Sequence, residues 1–216
     1  MNRSRKPVIA VDGPAASGKG TIARALARQY GIPHLDTGAL YRAVALAAAQ
    51  DGVALDNRER LAALAQALDL SLLEHPDLRS AATGQAASLV SAIPEVRAAL
   101  LAFQRDFASR PGGAVLDGRD IGTVIIPAAD AKLYVVAAPE IRACRRFQEL
   151  QAAGHAVTKE GILADIRIRD ARDSSRTDAP LRQAKDADLL DTSACSINDA
   201  IQKAVELVSR RLERTV

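Results

Sequence analysis

Residues 7–12, Pro7-Val8-Ile9-Ala10-Val11-Asp12, form a short β-branched apolar run that breaks off at Gly13-Pro14. Apolar positions then recur four residues apart at Ile22, Leu26 and Tyr30. A continuous apolar run reads as a strand buried on both faces and a four-residue period as one face of a helix, so the chain opens as strand, glycine loop, helix. A second short strand is expected at His34–Asp36, feeding a helix over Thr37–Gln50. Later strands are expected at Gly113–Asp117, Ala131–Ala137 and Ala187–Asp191, with helices at Pro94–Ala108, Pro139–Ala153, Thr158–Arg176 and Ile197–Arg214. Strands alternating with helices predict a three-layer α/β fold around a mostly parallel sheet.

Two stretches exceed what such a sheet needs. About seventy-five residues separate Tyr41 from Asp117, whereas a crossover with its helix needs only about a dozen. The excess predicts an inserted lobe, about residues 42–110, with a helix near Arg58–Leu68, a strand at Leu70–Leu73 and a small-residue stretch at Ala81–Ala92. An arginine-rich excursion, about residues 145–182, reads as a mobile lid. Both belong to a single domain spanning residues 1–216.

The composition, 48% hydrophobic and 25% charged, is that of a globular protein, and no stretch has the apolar length to cross a bilayer. The apolar run after the basic start ends at Asp12, too short for a signal peptide, so a cytoplasmic location is expected. Cys144 and Cys195 have no metal-ligand spacing and read as packing residues. Of 29 basic residues 23 are arginine, whose planar fork matches phosphate oxygens. The pI near 9.1 suits phosphorylated ligands or nucleic acid.

The segment Gly13-Pro14-Ala15-Ala16-Ser17-Gly18-Lys19-Gly20-Thr21 puts glycines where backbone amides turn inward around phosphate oxygens. Lys19 is placed to reach the terminal phosphates, and the following helix aims its N-terminus at the same anion. Gly20 stands where the strict pattern has the hydroxyl that holds magnesium, which leaves Thr21 one residue late. The strand ending at Asp117 has the form that brings an aspartate near that magnesium. Gly118-Arg119-Asp120 then puts a guanidinium and a carboxylate at the ligand-binding edge of the sheet. In the lid, Arg169, Arg172, Asp173 and Arg176 fall on one helical stripe, joined by Arg142, Arg145 and Arg146 from the preceding helix. Such a stripe suits a polyphosphate, against the alternative of a solvated face balanced by Asp165, Asp170 and Asp173. His34, His75 and His155 suggest no general base. A phosphate acceptor needs none, because a phosphomonoester is already anionic at neutral pH; an alcohol acceptor would use Asp36 or Asp120.

With this loop, Leu35-Asp36-Thr37-Gly38-Ala39-Leu40-Tyr41-Arg42, Asp117-Gly118-Arg119-Asp120-Ile121-Gly122 and the lid arginines all in order, the chain closely resembles bacterial cytidylate kinases over nearly its whole length. The resemblance implies a P-loop NTPase fold with an acceptor-binding lobe, and transfer of the γ-phosphoryl group of Mg-ATP to CMP or dCMP. It places Gly13 to Thr21 on ATP and Lys19, Arg119, Arg145, Arg172 and Arg176 in catalysis. The acceptor phosphate falls to Thr37, Arg42, Arg119 and Arg176, and the cytosine edge to Ser88, Arg97 and Asp120. Arg169 and Asp173 fall to the ribose, with Asp117 also facing the substrates. No metal ligand of the protein's own is implied, magnesium arriving with ATP, and a monomer is expected. Rival readings are a kinase for UMP or another small acceptor, a nucleotide switch, for which the chain lacks DxxG and [NT]KxD, and a nucleic-acid binder, which 3% aromatics disfavour.

Overall fold

A computed structural model describes residues 5–152 and 154–214. In chain order the elements are β1 (Val8–Asp12), α1 (Lys19–Tyr30), β2 (His34–Asp36), α2 (Thr37–Gln50), α3 (Arg58–Gln66), α4 (Ala81–Val90) and α5 (Pro94–Ser109). They continue through β3 (Ala114–Gly118), β4 (Ala131–Val136), α6 (Pro139–Ala152), α7 (Lys159–Ser175), β5 (Asp188–Asp191) and α8 (Ile197–Glu213). The expected end of α6 at Ala153 lies outside the described residues.

The five strands are ordered β2-β3-β1-β4-β5, and β1 is parallel to β3 and β4, as β4 is to β5. Asp12 stands level with Gly118 on one side and Tyr134 on the other. The loops after β1, β3 and β4 therefore leave the sheet at one edge, where open parallel sheets bind ligands. Alternation along β1 sends Ile9 and Val11 to one face. There they join Ile22 and Leu26 of α1, Leu133 and Val135 of β4, and Ala200, Ala204, Val208 and Leu212 of α8. The four-residue spacing of that α8 row is one helical stripe, and each large side chain so buried contributes about 1.5–3 kcal/mol. Cys195 packs against this cluster, as expected of it. Ala10 and Asp12 point the other way, which puts a carboxylate on the far face directly before the glycine loop.

The chain divides into two compact units, Leu35–Phe107 and the remainder. Within Leu35–Phe107 the helices are capped by Asp36, Asn57 and Ser80, whose side chains accept from the backbone N–H of Ala39, Arg60 and Thr83. The strand expected at Leu70–Leu73 is instead a 3₁₀ turn, Leu70–Glu74. The Asp69 carboxylate accepts from Ser71 N at 2.9 Å and Ser71 Oγ at 2.7 Å, closing the backbone into a local turn that competes with extended structure. The small-residue stretch from Ala81 is α4, which follows from alanine's high helix propensity once Ser80 caps it. In the remainder, α6 and α7 share a small core of their own built on Ala143, Leu150, Ile162 and Ile166. No single helix among the described residues is long and apolar enough to cross a membrane.

Candidate active site

Gly13 turns the chain out of β1 at φ 155°, and a Cβ there would lie 2.1 Å from the Val135 carbonyl oxygen, so no other residue fits. Ala16, at φ 57°, is a non-glycine residue in the left-handed region, a strain of order 1 kcal/mol that the surroundings must hold in place. They do so through the loop's carbonyls. The Pro14 oxygen accepts from Lys19 Nζ at 3.3 Å, that of Ala15 from Arg142 Nη1 at 3.2 Å, and that of Ser17 from Thr192 Oγ1 at 3.0 Å. Among the described residues the amides of Ala15, Ala16, Ser17 and Gly18 make no hydrogen bond. Ser17 is fully buried, with its Oγ unpartnered. Carbonyls tied back, amides left over and a helix starting at Lys19 together make an anion cradle.

Buried aspartates stand beside this loop. Asp12 is buried and accepts from the amides of Ile121 and Gly122, each at 2.8 Å, which pins a single π-helical turn, Ile121–Ile125, behind Arg119 and Asp120. Burial pushes the Asp12 carboxyl up to about 7, with the Asp120 charge adding to it against the two amides and Lys19. Asp117 is buried at the end of β3, its Oδ1 2.7 Å from His34 Nε2 and its Oδ2 facing Gly20 of α1. His34 thus pairs with a carboxylate beside the loop, a pairing between β2 and β3 that has no signature in sequence spacing. Asp173, on α7, accepts from Arg119 Nε at 2.7 Å. Burial would raise the Asp173 carboxyl, but Arg119, then Arg169 and Arg176, outweigh it and hold it below its ordinary value. Arg119 is likewise kept charged: its burial is more than offset by Asp173, Asp117 and Asp170.

The lid arginines do not act as one stripe. Arg142 is buried and engaged with Asp170, Ala137 and Ala15, so it belongs to the scaffold rather than to an anion-facing surface. Arg145 donates from Nη1 to Thr192 Oγ1 at 3.0 Å and from Nη2 to the Thr192 carbonyl at 2.7 Å, and a Cβ on Gly18 would sit 3.9 Å from its Nη1. Arg169 and Arg172 lie on α7, whereas Arg176 is the first residue beyond it, its Nη2 donating to the Ala179 carbonyl at 3.0 Å. In Leu35–Phe107, Thr37 begins α2 and is buried, as is Ser88 on α4. Arg42 donates to the carbonyls of Leu78 and Ser80, with its guanidinium against Gly84. Arg97 donates to Tyr41 Oη and the Ser91 carbonyl at 3.3 Å each. Asp36 is occupied in capping α2 through the Ala39 amide at 3.1 Å, which disfavours it as a general base.

Asp12, His34, Asp170 and Thr192 are parts of this site that the motifs did not single out. For Asp12 the signal was a charge closing an apolar strand; the others have none. Because the folded state raises the Asp12 pKa from 3.8 to about 7, it holds that proton more tightly than the unfolded chain. Stability from this group is therefore present below pH 4 and is lost as pH rises to about 7, by up to roughly 4 kcal/mol. Thermal unfolding of the Asp12→Asn variant across pH 4–7 should lack that decline relative to the parent protein.

A sequence profile described as cytidylate kinase matches residues 9–210. A cytidylate kinase of Bradyrhizobium sp. (strain ORS 278) is 56% identical over 201 residues, 93% of this chain and 95% of that protein. Another, of Xanthobacter autotrophicus, is 57% identical over 204 residues, 94% and 98% of the two. Among solved structures, a gluconokinase from Sinorhizobium meliloti 1021 superposes over 99% of this chain and 97% of its own with a TM-score of 0.53 at 17% identity, a likeness of fold alone. Phosphate cradle, arginine–aspartate edge and relatives agree: the chain is a phosphotransferase and belongs to the cytidylate kinase family.

Proposed function

We propose that the protein transfers the γ-phosphoryl group of ATP to CMP or dCMP, giving ADP and the nucleoside diphosphate. The observation that carries the donor half is the cradle of Gly13 to Thr21, with its leftover amides and the Lys19 ammonium beside the start of α1. Family membership supports the cytidine half. Lys19, Arg119, Arg145, Arg172 and Arg176 neutralise charge on the transferring phosphoryl group. No protein base acts, since the acceptor phosphate is itself the nucleophile and what the protein supplies is alignment and charge.

Magnesium arrives with the triphosphate. Asp117 Oδ2 facing Gly20 offers a hard oxygen of the kind the ion takes, and Asp117 would stand beside it near the phosphates, whereas Thr21, one residue late, is not assigned to it. The ion supplies neutralisation of charge between the phosphates. In Leu35–Phe107, Thr37 and Arg42 are assigned to the acceptor phosphate and Ser88 and Arg97 to the cytosine edge; Arg119 and Arg176 also take the phosphate, Asp120 the amino group, and Arg169 and Asp173 the ribose. The lid, about residues 145–182, closes to keep water from the phosphoryl group. The protein works as a monomer in the cytoplasm on free nucleotides, not on nucleic acid or at a membrane.

The test is ADP release from Mg-ATP against CMP, dCMP, UMP, AMP, GMP and dTMP, with Lys19→Ala as control. Stimulation chiefly by CMP and dCMP, abolished in the control, is the expected result; stimulation by UMP alone would reassign the acceptor. Within that panel, Asp120→Asn should lower kcat/KM for CMP by about 10- to 100-fold, because a carboxylate accepts from the cytosine amino group and an amide rotated to donate suits uracil instead. A CMP preference undiminished in this variant would remove Asp120 from base reading.

A further inference from the structure

Arg142 is 3% exposed, yet every nitrogen of its guanidinium is used. Nε donates to the Ala137 carbonyl at 2.8 Å, Nη1 to the Ala15 carbonyl at 3.2 Å and to Asp170 Oδ1 at 3.0 Å, and Nη2 to Asp170 Oδ2 at 2.5 Å. One planar group therefore joins three parts of the site: the end of β4, the phosphate loop next to its strained residue Ala16, and α7. On α7, Asp170 sits between Arg169 and Arg172, and one residue further on Asp173 grips Arg119.

We propose that Arg142 is a positioning residue that couples the ATP loop to the arginine-bearing helix α7: it draws the Ala15 carbonyl away from the amide cradle while fixing Asp170, and with it the neighbouring Arg172, against the same loop. Only arginine can do this, since a lysine ammonium cannot present a flat fork to a carboxylate and reach two carbonyls as well. Stability alone does not explain the arrangement. A buried ion pair roughly breaks even against well-packed apolar residues, and α6 and α7 already share an apolar core. What apolar packing cannot supply is a donor for Ala15, whose carbonyl would otherwise be free to turn toward phosphate oxygens and repel them. Strain at Ala16 makes that turn the expected relaxation once the brace is gone. ATP parameters should therefore respond before those of the acceptor.

The inference rests on the reading that this loop takes ATP. Steady-state kinetics with ATP and CMP varied separately test it on Arg142→Lys, Asp170→Asn and the double variant, alongside Lys19→Ala and with thermal unfolding of each. Arg142→Lys is expected to raise KM for ATP about tenfold or more and to lower kcat, with KM for CMP within about twofold. Asp170→Asn, at a side chain one-quarter exposed, keeps the fold and the Ala15 contact and should lower kcat with a smaller rise in KM for ATP. If the two residues act as one device, the double variant is no worse than Arg142→Lys alone. ATP parameters within about twofold of the parent in both single variants, or losses that multiply in the double variant, would overturn the coupling. Should Arg142→Lys fail to fold, Asp170→Asn decides: unchanged kcat and KM for ATP refute it. A fully active Lys19→Ala would instead sink the reading of the loop, whereas an inactive one beside normal Arg142 and Asp170 variants sinks the coupling alone.

Discussion

Replacing Lys19 with alanine is expected to lower CMP-dependent ADP formation by about a thousandfold or more while leaving the protein folded. Lys19 is the first residue of α1, where alanine is at least as good a helix former, and its hydrogen bond to the Pro14 carbonyl is a long one at 3.3 Å. Alanine keeps the start of the helix, so the melting temperature should fall far less than activity. What disappears is a cation at the mouth of a cradle otherwise built of neutral amides, at the point where negative charge accumulates during transfer. A coupled assay for ADP, run beside a thermal melt, separates the two effects. Activity within tenfold of the parent would mean that the ammonium does not meet the transferring phosphoryl group. A low melting temperature would mean that Lys19 supports the loop as well.

The loop, its strand and its helix were legible because each link is local. An apolar run, glycines at fixed offsets and a four-residue period lie within residues 7–30, and the structure keeps all three. The later strands and helices were legible for the same reason. Where the reading failed, tertiary or side-chain chemistry overrode the pattern. Leu70–Leu73 has strand-like residues, but Asp69 closes the backbone on Ser71 and Leu70 stays 45% exposed. In the lid, helical spacing correctly put Arg169, Arg172 and Asp173 on one face, but spacing carries no information about what that face meets. Asp170 and Asp173 are not solvated counter-charges; they are committed to Arg142 and Arg119, which come from α6 and from the turn after β3. Likewise His34 and Asp117 are 83 positions apart in the chain and 2.7 Å apart in the fold. Pairings of this kind depend on strand order, which alternation of elements does not specify.

Arg119 is where the second large loss is expected. It follows β3 directly, so backbone pairing with β1 fixes its Cα beside the phosphate loop, and Asp12 fixes the turn just after it through two amides. Its Nε is taken by Asp173, which leaves the outer edge of the guanidinium as the part able to face a phosphoryl group. Arg119→Lys should lower kcat by about 10²- to 10³-fold, because the charge survives but cannot grip Asp173 and present a fork at once. Stability should fall less, since an ammonium still neutralises Asp173. Arg119→Ala removes that neutralisation and leaves a carboxylate that is 4% exposed without its main partner, which costs about 3–5 kcal/mol. The contrast between the two variants is the measurement. If Arg119 acts on the phosphoryl group, both lose comparable kcat and only the alanine loses much of its melting temperature. If it serves only to hold Asp173, activity follows stability, and the lysine variant turns over nearly as fast as the parent. Asp173→Asn gives the complementary reading: an amide oxygen can still accept from Nε, so the guanidinium stays aimed and kcat should fall far less than in either Arg119 variant.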